Sequence, residues 1–533
     1  MINRRSFLTS LAAAALPAAP PASRPNVIIM MADDMGFSDL GCYGSEIRTP
    51  NIDSLARSGI RFTQFYNCAR CCPTRASLLT GLYPHQAAVG HMVEDRKFPA
   101  YKGDLSANAV TIAEVMRSGG YHTWMSGKWH VTPVTQSKHN WPRQRGFDKF
   151  FGTIHGAGSF YDPATLSRDN EYIQPEGRNF YYTNAIGENA SRFIEDAAAL
   201  NKPFFGYVAF TSPHWPMHAL EEDIDRYKTR YKDGWDALRE ERHRRQIQLG
   251  LVDKKWPLTT RDADVATWKD APNKEWEMRR MAVYAAMIDR MDQNVGRIVA
   301  SLKKTGQLDN TLLLMLADNG GCAEVLSEKS TGRHIPDKTR DGRPVRRGNN
   351  PSIMPGRDDD YQSYGIAWAN ASNTPFRRYK HWVHEGGIST PLIAHWPSVI
   401  KKGGSLTSQP GHLIDLMATA ADVGGATYPA TFNGNAITSL EGKSLRPILE
   451  GKQRQAHSEI YWEHEGNRAV RQGKWKLVSK FPGEWELYDL DADRTELTDL
   501  ATRQPAKTSE LAAKWAAWSK KVGVEDWTLV SKS

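Results

Sequence analysis

The sequence predicts an α/β protein in which a large mixed, mostly parallel sheet is sandwiched by helices and followed by a smaller C-terminal α+β subdomain. Three observations point there. Continuous apolar runs bounded by polar residues recur at Pro25–Ala32, Pro203–Phe210, Thr311–Ala317 and Pro391–Trp396, the pattern of strands buried on both faces. Helical patterns separate them, as in an open α/β sheet. From about residue 405 the texture changes to short β-like segments with a terminal helix, which suits a separate small sheet.

Taken in order, the first run ends at Asp33-Asp34-Met35-Gly36, so two carboxylates stand at a strand's carboxyl end, where open α/β sheets bind ligands. Thr49–Ala56 reads as a capped helix closing at Gly59, and a second helix runs from about Ala107 to Arg117, stopped by Gly119-Gly120. The strand-like Tyr121–Met125 leads into Gly127-Lys128-Trp129-His130, and the Phe210 run leads into Thr211-Ser212-Pro213-His214. The Arg/Lys-rich stretch from Glu221 to about Ala271 reads as a surface insertion. Met281, Ala285, Ile288, Met291, Val295, Ile298 and Leu302 mark a long amphipathic helix ended by Gly306. The next strand delivers Asp318-Asn319-Gly320, and residues 324–372 read as long loops. After Leu413–Val423, helical, come β-like Ser458–Trp462, Arg468–Arg471, Trp475–Ser479 and Trp485–Leu490, then a helix over Thr508–Trp518. The expected organisation is a leader at 1–23, a main domain at 24–404 and a subdomain at 405–533.

At 533 residues, 40% apolar and 24% charged, the chain can bury a large core and has the composition of a soluble globular protein. Asn3-Arg4-Arg5-Ser6-Phe7-Leu8 before the short apolar stretch Leu11–Leu16 reads as a twin-arginine export leader. The expected product is periplasmic or secreted, without stable membrane association, because that stretch is too short to span a bilayer and no later one is long enough. Loss of the leader lowers the net charge from +9 to about +7. A basic surplus favours anionic partners, but no nucleic-acid-binding signature accompanies it. The five cysteines, Cys42, Cys68, Cys71, Cys72 and Cys322, are too few for a disulfide scaffold, and their pairing is left open. Cys68-x-x-Cys71 lacks the second ligand pair a zinc site needs.

Asp33, Asp34, Asp318 and Asn319 all follow apolar strands. Three carboxylates and an amide oxygen suit a hard cation, Ca²⁺ or Mg²⁺, rather than zinc. Alone, each pair would equally cap a helix or turn.

Cys71-Cys72-Pro73-Thr74-Arg75 with Leu78-Leu79-Thr80-Gly81 behind it resembles the modification signature of the formylglycine-dependent sulfatases. Gly120–His130, with Gly-Lys-Trp-His intact, is similar to that family's second signature, and Pro213-His214-Trp215-Pro216 to its P-H-x-P element. Thr374–Lys380 with Glu385-Gly386-Gly387 resembles the segment carrying a second active-site lysine. Family-like residues extend from about 25 to 525 and include Trp462–Arg468 and Trp485–Leu490. The resemblance implies an alkaline phosphatase-like fold and conversion of Cys71 to Cα-formylglycine by a maturation enzyme. It also implies one Ca²⁺ held by Asp33, Asp34, Asp318, Asn319 and residue 71. Arg75, Lys128, His130, His214 and Lys380 would surround the sulfate and move protons. The implied reaction is hydrolysis of an aryl or carbohydrate sulfate ester, a small molecule or a polysaccharide. A formylglycine-dependent phosphonate or phosphodiester hydrolase shares these residues, and a non-catalytic sulfoglycan binder would leave Cys71 unmodified. The chain departs from the family pattern at Arg70, Cys72 and Thr74, and at Ser389, where an arginine is common.

Overall fold

The computed structural model describes residues 24–533; the expected export leader lies outside them. An eleven-stranded sheet forms the centre. From edge to edge it runs Ser405–Thr407, Ile60–Tyr66, Ser389–His395, Thr311–Ala317, Asn26–Ala32, Phe204–Ala209, His122–Lys128, Lys149–Thr153, Leu166–Arg168 and Glu171–Tyr172, and Gly411–His412 also pairs with Ile60–Tyr66. The strands from Thr311–Ala317 to Lys149–Thr153 are mutually parallel, while Ser389–His395 is antiparallel to both neighbours. The sheet is therefore mixed and mostly parallel, as expected.

Asn26–Ala32 shows why such a run makes a central strand. All seven residues are buried, and alternate side chains enter different cores because the strand repeat is two. Ile28 and Met30 pack with the helices Pro50–Ser58, Tyr182–Ala199 and Lys274–Lys304. Val27, Ile29 and Met31 pack with Cys71–Thr80, Ile112–Ser118 and Asp415–Gly424. Among the described residues no helix is long and apolar enough to cross a membrane.

Several elements differ from the sequence reading. The second helix starts at Ile112, not near Ala107, because Thr111 and Glu114 form a reciprocal capping box. The spacing Thr111-x-x-Glu114 carries that start in the sequence. Residues 324–372 are irregular apart from the two-residue strands Arg346–Arg347 and Asp360–Tyr361 and the helix Gly365–Ser372. The main sheet continues past residue 404 through Ser405–Thr407 and Gly411–His412. The small sheet begins only at Ile460: Ile460–His464, Asn467–Gln472, Trp475–Ser479 and Glu486–Asp489 form an antiparallel meander covered by the helix Pro505–Val522.

The basic stretch 221–271 is not a surface insertion. Its helix Gly234–Gln248 buries Trp235 and Leu238, and Trp235 meets Trp268 and Trp368 edge to face. Arg242 is fully buried, donating to Asp39 at 2.6 Å and to Glu46 at 2.9 Å. Burial pushes both carboxyls up; Arg242 overcomes this at Glu46, which falls to about 2, but not at Asp39, which stays raised. Charged residues there are solvated on one face only, and the other pins the loop that follows the Asp33-Asp34 pair.

Arg242→Ala would leave two buried carboxyls unpaired and is expected to cost about 3–5 kcal/mol, measured by denaturant unfolding. Glu46 carries a pH dependence of definite sign. Its depressed folded pKa contributes stability that is present above about pH 4.5 and lost as pH falls toward 2. An Arg242→Ala protein as stable as wild type at neutral pH would contradict this account.

Candidate active site

The carboxyl ends of the parallel strands deliver the polar residues to one place. Asp33 follows Asn26–Ala32, and its N–H donates to Ser212 O at 3.0 Å, which joins two strand ends. Asp34 has a left-handed backbone, φ 63°, which turns its side chain beside that of Asp33. Its N–H donates to Asp318 Oδ1 at 3.0 Å. Asn319 Nδ2 donates to Asp34 Oδ1 at 2.7 Å. The structure thus brings together all four oxygen ligands expected from sequence.

Cys71 opens the helix Cys71–Thr80, and Arg75 lies one turn later, so both face the same way. Arg75 Nη2 donates to Asp318 Oδ2 at 2.8 Å and sits 3.5 Å from Asp33 Oδ2, both pairs fully buried. Its Nη1 reaches Lys128 O and Tyr207 Oη. Thr74 fastens the same turn by donating to Asp318 O at 2.7 Å and accepting from Cys68 N. Lys128 ends its strand and donates from Nζ to Asp33 Oδ2 at 2.6 Å. Lys380 donates to Asp34 Oδ2 at 2.9 Å, and His214 Nε2 lies 3.5 Å from that oxygen. His130 Nε2 is 3.3 Å from Cys72 Sγ, and Cys71, Cys72 and His130 offer donor atoms within 4.8 Å of one another. Every site residue expected from sequence belongs to this one buried network.

Three carboxylates so close leave an electrostatic signature. Burial, then Asp33 beside it, pushes the Asp318 carboxyl well above its usual range; burial also raises Asp33. Asp33 Oδ1 and Asn319 Oδ1 are buried and have no hydrogen-bond partner among the described residues. Crowded carboxylates with orphaned hard oxygens fit a divalent cation of the Ca²⁺ or Mg²⁺ type, and the residues present suit that group. The surrounding bases are held neutral: burial lowers His130 to about 3 and His214 to about 4. Lys380 goes the other way, because Asp34 and other anions outweigh its burial and raise it well above its usual value. Cys71 is drawn well below the usual thiol range by hydrogen bonding from Cys72, then by Lys128 and His130 against the opposing effect of burial.

Sequence reasoning missed Glu324. Its Oε1 accepts from Arg70 Nη1 at 2.8 Å and its Oε2 from Trp215 Nε1 at 2.7 Å, with Lys380 Nζ 3.7 Å away. Its segment has no regular periodicity, so only its place five residues past Asn319 could have drawn notice. Two departures from the family pattern have partners. Arg70 pairs with Glu324. Ser389 accepts from Arg494 Nη2 at 2.8 Å while Arg494 Nε meets Glu385 at 3.1 Å, so a guanidinium does reach this position, from elsewhere in the chain.

The sulfatase family profile matches residues 25–426, most of the chain. The chain belongs to the sulfatase family. A profile described as N-sulphoglucosamine sulphohydrolase, C-terminal, matches residues 377–516. A sulfatase of Schizosaccharomyces pombe is 33% identical over 94% of each chain. An arylsulfatase of Klebsiella aerogenes is 31% identical over 82% of this chain and 94% of its own. The solved structure of a Bacteroides fragilis sulfatase superposes with a TM-score of 0.66 at 21% identity, covering 97% of this chain and 99% of that one; at that identity it speaks for the fold alone, which is the alkaline phosphatase-like sulfatase fold. The sulfatase chain is accordingly a sulfuric ester hydrolase.

Proposed function

We propose that this sulfatase hydrolyses sulfate esters through a Cα-formylglycine at position 71 and one bound Ca²⁺, with carbohydrate sulfates as physiological substrates. The observation that carries this reading is the meeting of orphaned hard oxygens, two lysines and two neutral histidines around the residue that heads the Cys71–Thr80 helix. Asp33, Asp34, Asp318, Asn319 and residue 71 would hold the cation, which supplies Lewis acidity to a sulfate oxygen. Converted to formylglycine, residue 71 supplies a hydrated aldehyde with one hydroxyl to take the sulfuryl group and another to expel it.

The chain's own groups do the rest. Lys128 and Lys380 bring positive charge to the equatorial oxygens, the electrostatic contribution that dominates such transfers. Arg75 holds Asp33 and Asp318 in place. His130 is neutral and its Nδ1 has no partner among the described residues, so it can take the proton from a hydroxyl of residue 71. Attack at sulfur breaks the bond to the alcohol oxygen, and that oxygen takes its proton from Lys380, the group that carries one. His214 Nδ1 donates to Trp215 O at 2.6 Å, which leaves the unprotonated Nε2 to accept from, and so orient, the hydroxyl of the departing alcohol.

The decisive measurement is the mass of the tryptic peptide Cys71–Arg75. Formylglycine lowers it by about 18 Da; an unmodified peptide in active enzyme would sink the reading. Parallel kinetics on an aryl sulfate and an aryl phosphodiester should favour the sulfate, and the reverse preference would make the chain a phosphodiesterase. Exhaustive treatment with a calcium chelator is expected to abolish turnover, with recovery on adding Ca²⁺ but not Zn²⁺. The Arg4-Arg5 leader is part of the same proposal: a tagged protein should appear in the periplasmic or extracellular fraction, and Arg4→Lys with Arg5→Lys should retain it inside.

A further inference from the structure

Resting on the sulfatase reading above, we propose that the enzyme's preferred substrate is a carbohydrate with a second anionic group, and that Arg178, Lys338 and Arg340 read that group. A cleft of about 480 Å³ lies between the Ser159–Asp162 turn and the 336–345 loop. A run of rings leads from the reacting centre to within two residues of its lining. The His214 ring lies 4.7 Å from that of Trp215, and Trp215 lies 5.7 Å from His334. His334 stacks on His155 at 4.9 Å, and His155 lies 5.9 Å from His130. Pro336, two residues past His334, already lines the cleft.

The lining chemistry selects a polyanionic sugar over an isolated aryl sulfate. Tyr161 and Phe180 supply ring faces, and Tyr161 spends its hydroxyl on Ala219 O at 3.0 Å. Saccharides stack on such faces while their hydroxyls seek acceptors. Of the lining acids, Asp341 and Asp358 are both paired with Arg343, at 2.8 and 2.6 Å. Asp162 alone is left to accept from a ligand hydroxyl. Of the lining cations only Arg340 feels a nearby lining carboxylate, Asp162, and at no ion-pair distance. Arg340 gives its Nη atoms to the carbonyls of Gly177 and Pro175, and among the described residues Arg178 and Lys338 make no ion pair. Two cations with no ion pair and a third only partly offset by Asp162, in one aromatic-walled cleft, fit a sulfate or carboxylate on a neighbouring sugar position.

The test compares mature, formylglycine-bearing enzyme with Lys338→Ala, Arg178→Ala and the Lys338→Ala/Arg340→Ala pair on three probes. These are an aryl sulfate, a monosulfated oligosaccharide, and oligosaccharides of equal length with a second sulfate or a carboxylate. The doubly anionic oligosaccharides should be preferred by wild type, and the pair should lose about 10- to 100-fold in kcat/KM on them, mostly in KM. Turnover of the aryl sulfate should stay within about twofold. Among the described residues the Lys338 side chain makes no hydrogen bond or ion pair, so Lys338→Ala guards against misfolding as the cause. Whichever of the two anions shows the larger loss names the group read. Normal aryl sulfate turnover with no preference for the second anion, or with a preference the variants leave intact, overturns the inference and spares the sulfatase reading. Failure of verified formylglycine enzyme to turn over any sulfate ester overturns both.

Discussion

Cys71→Ser is expected to abolish multiple turnover, lowering kcat on an aryl sulfate by at least about 10⁴-fold. Serine offers one hydroxyl, enough to accept a sulfuryl group but without the second oxygen that lets the group depart without attack at sulfur. The protein should fold normally, since the side chain is small and the helix is held elsewhere by Thr74 and Arg75. Mass spectrometry after incubation with substrate should show a stalled adduct of about 80 Da on the serine, or none. Steady turnover at the wild-type rate would remove formylglycine from the mechanism, whatever the mass of the native peptide.

Asp318→Asn should have the second largest effect, and its stability signature is more diagnostic than its kinetics. Asp318 accepts from Arg75 on one oxygen and from the Asp34 backbone on the other, and it shares its burial with Asp33 and Asp34. Removing its charge relieves the cost of burying it and its repulsion from Asp33 and Asp34, which Arg75 and Lys128 offset only in part. In chelator the variant should therefore be at least as stable as wild type. In calcium, wild type should gain several degrees in melting temperature and the variant little, because ligand binding stabilises only the form that binds. kcat should fall by about 10²- to 10³-fold. Equal stabilisation of both proteins by calcium would place the ion elsewhere.

The candidate oxygen ligands of the cation were legible in the sequence because they stand directly after strands. An apolar run with polar ends fixes both a buried strand and the edge at which its last residues emerge, so Asp33, Asp34, Asp318 and Asn319 could be placed with no tertiary information. The signatures around Cys71 and Lys128 added roles that periodicity alone does not carry. Glu324 was illegible because irregular backbone imposes no pattern on its neighbours. Arg242 was misread for a different reason: charge suggests solvent unless its partners are known, and Asp39 and Glu46 lie some two hundred residues away in sequence. The supply of Arg494 to Ser389 is likewise a contact between distant segments, and it explains how a pattern can lose an arginine without losing the guanidinium.

The strand that leads into Cys71 has a consequence in time. Among the described residues Ile60–Tyr66 pairs only with segments from Ser389 onward, and Cys68 meets His412 across 344 residues of chain. On a ribosome adding about 5–20 residues per second, roughly 20–70 s pass between the emergence of Cys68 and that of its partner. For that interval the segment around residue 71 has no sheet to join. On the formylglycine proposal, the maturation enzyme would act in that interval, before the closing strands bury residue 71.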